Sequence, residues 1–206
     1  MAKARPITEL DPQASTAQNA RIIIRERLAD LDAYTPYIGS PDHLQQLHDL
    51  RIATKRVRYS LEIFAKVLPA TSQSFAEELA KLQDELGTLH DSEVMLTLLR
   101  QLLQGDTTSG QTVLPEPEKA LLSPDMLARL LPSSRTSPLS EKERRGLSSF
   151  LQRQEQRRAA SYLLFRQHWE ELERAHFREE ILAMLTDERG NEATTSVHPS
   201  DAEEAV

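Results

Sequence analysis

The sequence predicts an all-α protein, a bundle of four long helices with a basic groove. Four segments carry apolar residues at helical spacing. No segment shows the alternating β-branched pattern or the Asn-Gly dipeptides that are typical of β-hairpins. With 206 residues, 39% apolar and 28% charged, the chain suits one domain with its own core. We place that domain at 15–186, between a disordered N-terminus (1–14) and a disordered acidic tail (187–206).

The first two predicted helices carry the clearest apolar faces. The first begins after Ser15 or Thr16 as N-cap and runs to about Tyr34. The second begins near Asp42 and ends before Pro69. The faces expected to be buried are Ala17, Ala20, Ile24, Leu28 and Leu31 on the first helix and Leu47, Leu50, Thr54, Val57, Leu61, Phe64 and Leu68 on the second.

The third predicted helix, from about Ser74 to Leu103, has two apolar stripes, which indicates packing on more than one side. One stripe is Phe75, Leu79, Leu82, Leu86 and Leu89, and the other is Ala76, Ala80, Gly87, Val94 and Leu98. Gly, Pro, Ser and Thr then predict a long flexible loop over 104–140. The fourth helix runs from about Glu141 to Leu185, and its length predicts a bend or a break.

Composition excludes several classes of site. The chain has no cysteine, so disulfides, thiolate zinc sites and cysteine nucleophiles are absent. No apolar run approaches the ~20 residues of a membrane span, and we expect a cytoplasmic protein. The net charge of −7 argues against a general affinity for polyanions. However, the cations are clustered: between His43 and Leu68 five of them face only two acids, so a local basic site is possible.

The second helix carries a row of cationic side chains at helical spacing. His48, Arg51, Lys55 and Arg58 are separated by 3, 4 and 3 positions, which places them in one line about 15 Å long. We call these four residues the basic stripe. A row of cations that repeats every turn suits a ligand that is itself a row of anions, although a solvated charged face has the same pattern. Arg56 falls on another side of the helix.

Arginines on two other helices are candidates for the same site. Arg158 lies on the apolar face of the fourth helix, where it needs an anionic partner, either a carboxylate such as Asp91 or Glu93 or a ligand. Arg21 and Arg25 flank the apolar face of the first helix. They could complete a basic wall, or carboxylates such as Asp49 could neutralise them.

Other chemistry-bearing residues are assigned structural roles. We expect Asp91 to contact a cation and orient it, and Gly87 to allow two helices to approach closely. His43 and His90 are interpreted as ordinary boundary histidines, and His168 and His176 as packing residues. No His-Glu-x-x-His, paired Glu-x-x-His or cysteine pattern predicts a metal site, and we predict no cofactor.

Two strings in consecutive helices resemble a known family. HDLRIATKRVRYSLEIF at His48 to Phe64 and LQDELGTLHD at Leu82 to Asp91 are similar to the CHAD family, a histidine-bearing α-helical domain. The similarity covers the second and third helices closely and the first and fourth loosely.

The resemblance implies a helical, positively charged site that binds inorganic polyphosphate without catalysis. Carried onto this chain, the ligand-facing set is His48, Arg51, Lys55, Arg56 and Arg58, to which we add Arg21, Arg25 and Arg158 from their helix faces. It also implies an association with polyphosphate granules and a triphosphate tunnel enzyme as a candidate partner. Typical members have two four-helix repeats, whereas this chain has one basic motif, so we prefer a homodimer over a compact monomer.

Two other functions compete with this one. The first is an enzyme acting on phosphoanhydrides, or its accessory subunit, which would need a metal or carboxylate cluster that the sequence does not display. The second is a helical adaptor that binds the phosphate backbone of a nucleic acid, although the aromatic content of 5% disfavours base stacking.

Overall fold

A computed structural model of the protein describes residues 5–104 and 139–186, and within them all regular structure is helical. The described residues form five α-helices: α1 (Thr16–Asp32), α2 (Leu44–Ile63), α3 (Thr71–Gln104), α4 (Glu141–Arg174) and α5 (Phe177–Thr186). Short 3₁₀ turns at Thr35–Tyr37 and Ala65–Val67 lie within the connections from α1 to α2 and from α2 to α3. The predicted all-α class is confirmed, and the predicted fourth helix is two helices. None of the described helices combines the length and apolarity needed to cross a membrane.

Capping boxes begin α1 and α4. Ser15 accepts a hydrogen bond from the Gln18 backbone N–H at 3.2 Å, and the Gln18 side chain accepts one from the Ser15 N–H at 2.9 Å. Ser140 and Glu143 make the same reciprocal pair at 3.3 and 2.9 Å. Each box satisfies two backbone N–H groups that the first turn of a helix leaves without partners. The predicted N-cap at Ser15 is therefore confirmed.

The long C-terminal helical segment breaks after Arg174, as its length predicted. His176 has a φ of 53°, a left-handed conformation that an α-helix cannot contain. The chain changes direction there, and α5 turns its buried residues Ile181, Met184 and Leu185 into the shared core. An ion pair between Arg178 of α5 and Asp32 of α1 joins the two helices at this end.

A single apolar core joins all five helices, and α3 packs against both α2 and α4. The predicted core positions of α1 are all buried, as are those of α2 from Leu47 to Leu61, while Phe64 and Leu68 at its end are half-buried. Burial of this many aliphatic side chains is the main stabilising contribution to such a fold. The largest side chains that are exposed by less than 2% are Phe165, Ile24, Leu50, Leu61, Leu79, Leu82, Leu96, Ile181, Leu185, Val57 and Thr54.

Part of the N-terminal segment predicted to be disordered contacts α1. Arg5 pairs with Asp30 at 3.4 Å, and Arg27 donates to the Arg5 carbonyl oxygen at 3.0 Å and to Asp30 at 2.9 Å. Asp30 is buried, and a buried carboxylate requires such cationic partners. Residues 105–138 of the loop predicted at 104–140, and the tail predicted at 187–206, lie outside the described residues.

A histidine bridges α3 and α4. The His168 ring contacts Glu78 through Nε2 at 2.7 Å and Glu85 through Nδ1 at 3.0 Å. Burial alone would lower the pKa of His168, but the hydrogen bonds to Glu85 and Glu78 outweigh burial and the net pKa is raised. When protonated, the ring donates to one carboxylate through each nitrogen, so the imidazolium acts as a clamp between the helices.

Replacing His168 with glutamine should destabilise the fold in a pH-dependent way. Because the folded-state pKa is raised, the stabilisation by His168 is complete below the ordinary value of 6.5 and is lost as the pH rises through the raised value. We expect His168→Gln to lower the free energy of unfolding by about 1 kcal/mol or less at mildly acidic pH, because the cluster is partly solvated. The loss should be smaller at alkaline pH, where His168 is neutral. Urea unfolding at both pH values measures this, with His43→Gln as control. An equal cost at both pH values would contradict the clamp.

Candidate functional site

The basic stripe of α2 lies along α3. Arg58 donates from Nε to the Gln83 side-chain oxygen at 3.1 Å, Arg51 lies over Gly87, and His48 contacts His90. Residue numbers increase along the stripe, from His48 to Arg58, while those of the partners on α3 decrease, from His90 to Gln83. The two helices are therefore antiparallel. The stripe is therefore positioned by the same helix pair that contributes Leu50, Leu61, Leu82 and Leu86 to the core.

Among the described residues, Arg51 has fewer partners than the other members of the stripe. Its Nε lies 3.5 Å and its Nη2 3.9 Å from where a Cβ would stand on Gly87, so its guanidinium rests against the α3 backbone. The Nε is buried and has no hydrogen-bond partner among the described residues, and no ion pair joins Arg51 to a carboxylate there. A half-buried guanidinium with an unused donor favours an anion from outside the chain.

The Tyr59 ring contacts Lys55 and Arg58, the other two cations of the stripe. The Arg58 guanidinium lies 4.5 Å and the Lys55 ammonium 5.4 Å from the centre of its ring, within the range of cation–π attraction. Arg58 also pairs with Glu62 at 2.9 Å, so much of its charge is already compensated. Lys55 forms no ion pair within the part of the chain that the structure describes, and its charge is available to a ligand.

His48 and His90 form a ring pair at one end of the stripe. Their Nδ1 atoms lie 3.4 Å apart and their ring centroids 4.7 Å apart. Burial lowers the pKa of both rings, and the Arg51 charge lowers both further, while Asp49 and Asp91 act in the opposite direction. Both rings are therefore more readily neutral than a free histidine.

Arg56 lies on a different side of α2, as predicted from its position. Burial and the Asp49 and Asp30 carboxylates raise the pKa of Tyr34, and the Arg56 charge opposes them. Arg56 and Asp49 thus lie on the side of α2 that faces the end of α1, whereas the stripe faces α3. Arg21 is half-buried and Arg25 exposed on α1. The ligand contacts predicted for these three arginines stay predictions.

Arg158 is held inside the protein. It forms an ion pair with Glu93, and its Nη2 donates to the Pro41 carbonyl oxygen at 2.7 Å. Of the two alternatives for this residue, the internal ion pair is therefore present, and a ligand contact by Arg158 stays a prediction. Asp91 is exposed and makes no ion pair within 5–104 and 139–186. Its predicted role in orienting a cation also stays a prediction.

Sequence reasoning missed the α3 side of this site and the role of Tyr59. His90 was interpreted as an ordinary boundary histidine, yet it contacts His48 across the helix pair. The spacing of Gln83, Gly87 and His90, 4 and 3 positions apart, was the available signal, because it places three small or polar residues on one face of α3.

The described residues contain a cleft away from the stripe but no cluster of side chains suited to a metal ion. No group of three or more His, Asp or Glu side chains in this part of the chain could hold a metal ion. A cleft of about 540 Å³ lies elsewhere, among the ends of α1, α4 and α5, and is lined by Leu28, Leu82, Trp169 and Phe177 among others. No stripe residue lines this cleft, so the cleft and the stripe are separate features of the protein.

Adding a methyl group at Gly87 should stabilise the protein. A Cβ there would meet the Arg51 side chain at an ordinary contact distance of 3.5 Å, and alanine is better than glycine in a helix interior by about 1 kcal/mol. We expect Gly87→Ala to raise the free energy of unfolding by about that amount. Gly146→Ala in α4, where nothing lies within 4 Å of the new atom, is the matched control with a similar gain. A loss of stability in Gly87→Ala alone would show that α2 and α3 lie too close for a methyl group.

Comparison with known proteins connects this geometry to one family. The CHAD domain model matches residues 2–100, which include α1, α2 and almost all of α3. No curated protein and no solved structure matches the chain. The matched segment contains the whole basic stripe and its partners on α3, and the resemblance seen in the two sequence strings is confirmed. Over residues 2–100, just under half of its 206 residues, the chain is therefore similar to the CHAD domain.

Proposed function

We propose that the protein binds inorganic polyphosphate, without catalysis, along a basic groove between α2 and α3. The observation that supports this most strongly is Arg51, whose half-buried guanidinium has a buried Nε without a hydrogen-bond partner in the described residues. The CHAD family resemblance implies polyphosphate as the ligand. The geometry supports an anion at this place.

The chemistry of the stripe suits a linear anion with charge on every unit. Arg51 supplies a planar fork that can pair with two oxygens of one phosphate, and Lys55 supplies a compact charge one turn further along. His48 adds an N–H donor whose charge changes below neutral pH, because burial lowers the pKa of its ring. A short anion could occupy only part of this line, so affinity should increase with the number of linked phosphates.

Chain length and salt concentration test this proposal directly. We expect long polyphosphate to bind much more tightly than orthophosphate, and the affinity to fall steeply as salt rises, because each contact releases counterions. Equal affinities for orthophosphate and long chains would refute an extended groove. Isothermal titration at two salt concentrations provides both comparisons.

Replacing Arg51 should weaken binding more than replacing an arginine that lies off the stripe. We expect Arg51→Gln to lower the affinity by about 10- to 100-fold, the equivalent of losing about 1.5–3 kcal/mol of charge-assisted hydrogen bonding. It should also reduce the salt slope by about 1. The control is Arg166→Gln, because Arg166 is exposed on α4 and pairs with Glu170. Equal losses in both variants would point to a diffuse electrostatic attraction.

Two competing functions are separated by simple assays. Phosphate release from polyphosphate in the presence of Mg²⁺ or Mn²⁺ would indicate a phosphoanhydride-processing enzyme. Displacement of polyphosphate by RNA at equal charge concentration would indicate an adaptor for a nucleic-acid backbone. A triphosphate tunnel enzyme as partner, and a location at polyphosphate granules, stay predictions of the family resemblance.

The outward face of α4 supports the predicted homodimer. Leu163 and Leu164 are each 64% exposed, and Gln156, Ala160 and Gln167 extend the same uncharged face along the helix. In an antiparallel pairing of two copies about the centre of this face, Gln156 of one copy would lie opposite Gln167 of the other and Ala160 opposite Leu163, because these residues are exposed on this side. A second copy therefore fits this face in polarity.

A charge on the α4 face should separate the copies. We expect twice the chain mass for the wild type in light scattering at micromolar concentration, and the single mass for a variant with both Leu163→Lys and Leu164→Lys. Ile63→Lys, at a residue that is 73% exposed on α2, should leave the dimer intact. A wild-type protein that is monomeric with and without polyphosphate would contradict the homodimer.

A further inference from the structure

The two rings at the end of the basic stripe are close enough to share protons. At 3.4 Å between the Nδ1 atoms, one nitrogen can donate to the other only if the second is unprotonated. Two imidazolium rings in this position would turn two N–H groups and two positive charges toward each other. The pair therefore holds one proton more easily than two, and its two titrations are coupled.

Charged groups from three helices surround this pair. On α2 they are Asp49 and Arg51, next to His48, and on α3 they are Asp91 and Glu93, next to His90. From α4, Arg158 reaches Glu93 and compensates that carboxylate. Arg51 is the cation without a carboxylate partner among them, so an added positive charge on the pair is opposed until an anion arrives.

We propose that His48 and His90 act as one proton-accepting unit of the anion site, so that a bound polyanion draws a proton onto the pair. This inference rests on the proposed function of the stripe, and it adds His90 to the residues of the site. A phosphate held by Arg51 places negative charge beside the two rings, which stabilises the imidazolium form. By linkage, a site that takes up a proton on binding binds more tightly as the pH falls.

The size of the effect is limited by the number of protons taken up. One linked proton changes the affinity by at most about tenfold per pH unit, between the pKa of the free pair and that of the occupied pair. Both rings are more readily neutral than a free histidine in the protein alone, so the change should be concentrated below neutral pH. Near pH 8 the pair is neutral and should contribute little to the affinity.

Titration of the full chain with long-chain polyphosphate tests the inference. Long chains are the suitable probe because their internal phosphates keep their charge over this range, so the ligand does not titrate. We expect the wild-type affinity to rise by about three- to tenfold per unit between about pH 7 and about pH 5.5. Calorimetry in two buffers of different ionisation enthalpy should show uptake of between half a proton and about one proton per site.

Two histidine variants test whether the proton taken up on binding goes to the His48–His90 pair. His90→Gln should bind as the wild type does within about threefold near pH 8, and should lose most of the increase at lower pH. His43→Gln is the matched control, since the His43 ring bonds to the Tyr37 carbonyl oxygen and not to the stripe, and it should keep the full increase. An undiminished increase in His90→Gln would overturn the assignment. If His90→Gln fails to fold, the number of protons that the wild type takes up on binding still tests the inference, because binding without proton uptake would overturn it.

The outcomes separate this inference from the function on which it rests. Wild-type binding that is tight but equal at all pH values, with no proton uptake, would overturn the proton linkage and leave polyphosphate binding standing. Absence of wild-type binding at every pH would overturn the proposed function itself.

Discussion

The antiparallel contact between α2 and α3 is the constraint on which the rest of the structure depends. One side of this helix pair contributes Leu50, Leu61, Leu82 and Leu86 to the core, and its outer edge carries the basic stripe. Gly87 contributes to both roles, because it lies in the middle of α3 and the Arg51 guanidinium lies over it. The same apolar packing that stabilises the fold therefore also positions the charges.

Arg58 and Arg158 differ from Arg51 in the partners that they have within the protein. Arg58 pairs with Glu62 and Gln83, and Arg158 with Glu93 and the Pro41 carbonyl oxygen, so both join parts of the fold. Arg51 has comparable burial and no such carboxylate in the described residues. Desolvating a charge is unfavourable unless an opposite charge compensates it. This difference, more than the total charge of the chain, is the reason that Arg51 is the candidate for contact with a ligand.

Most of the helical architecture was predictable because helix formation depends on local signals. The N-cap at Ser15, the buried faces of α1 and α2 and the break in the last helical segment follow from residue type and a period of 3.6. The contact between His48 and His90 was not predictable in this way. Periodicity assigns a residue to a face of its own helix, whereas the register between two helices is determined by the packing of their cores.

The same limitation applies to individual partners. The sequence left Asp91 and Glu93 as equal candidates for the ion pair with Arg158, and only the rotation of α3 in the packed structure selects Glu93. It is also the packing of α1 and α3 on different sides of α2 that separates Arg56 from the stripe. Residues that share a sequence motif can therefore face different neighbours.

The most direct test of the anion site is the arginine side-chain nuclear magnetic resonance spectrum during titration with polyphosphate. The Nε–H group of Arg51 is buried without a partner in the described residues, so a bound phosphate should give it a new acceptor. We expect the Arg51 Nε–H resonance to shift strongly and saturate with the binding curve, while that of Arg166, paired with Glu170, changes little. Saturable binding that leaves the Arg51 resonance unmoved would contradict a site built on the α2–α3 contact.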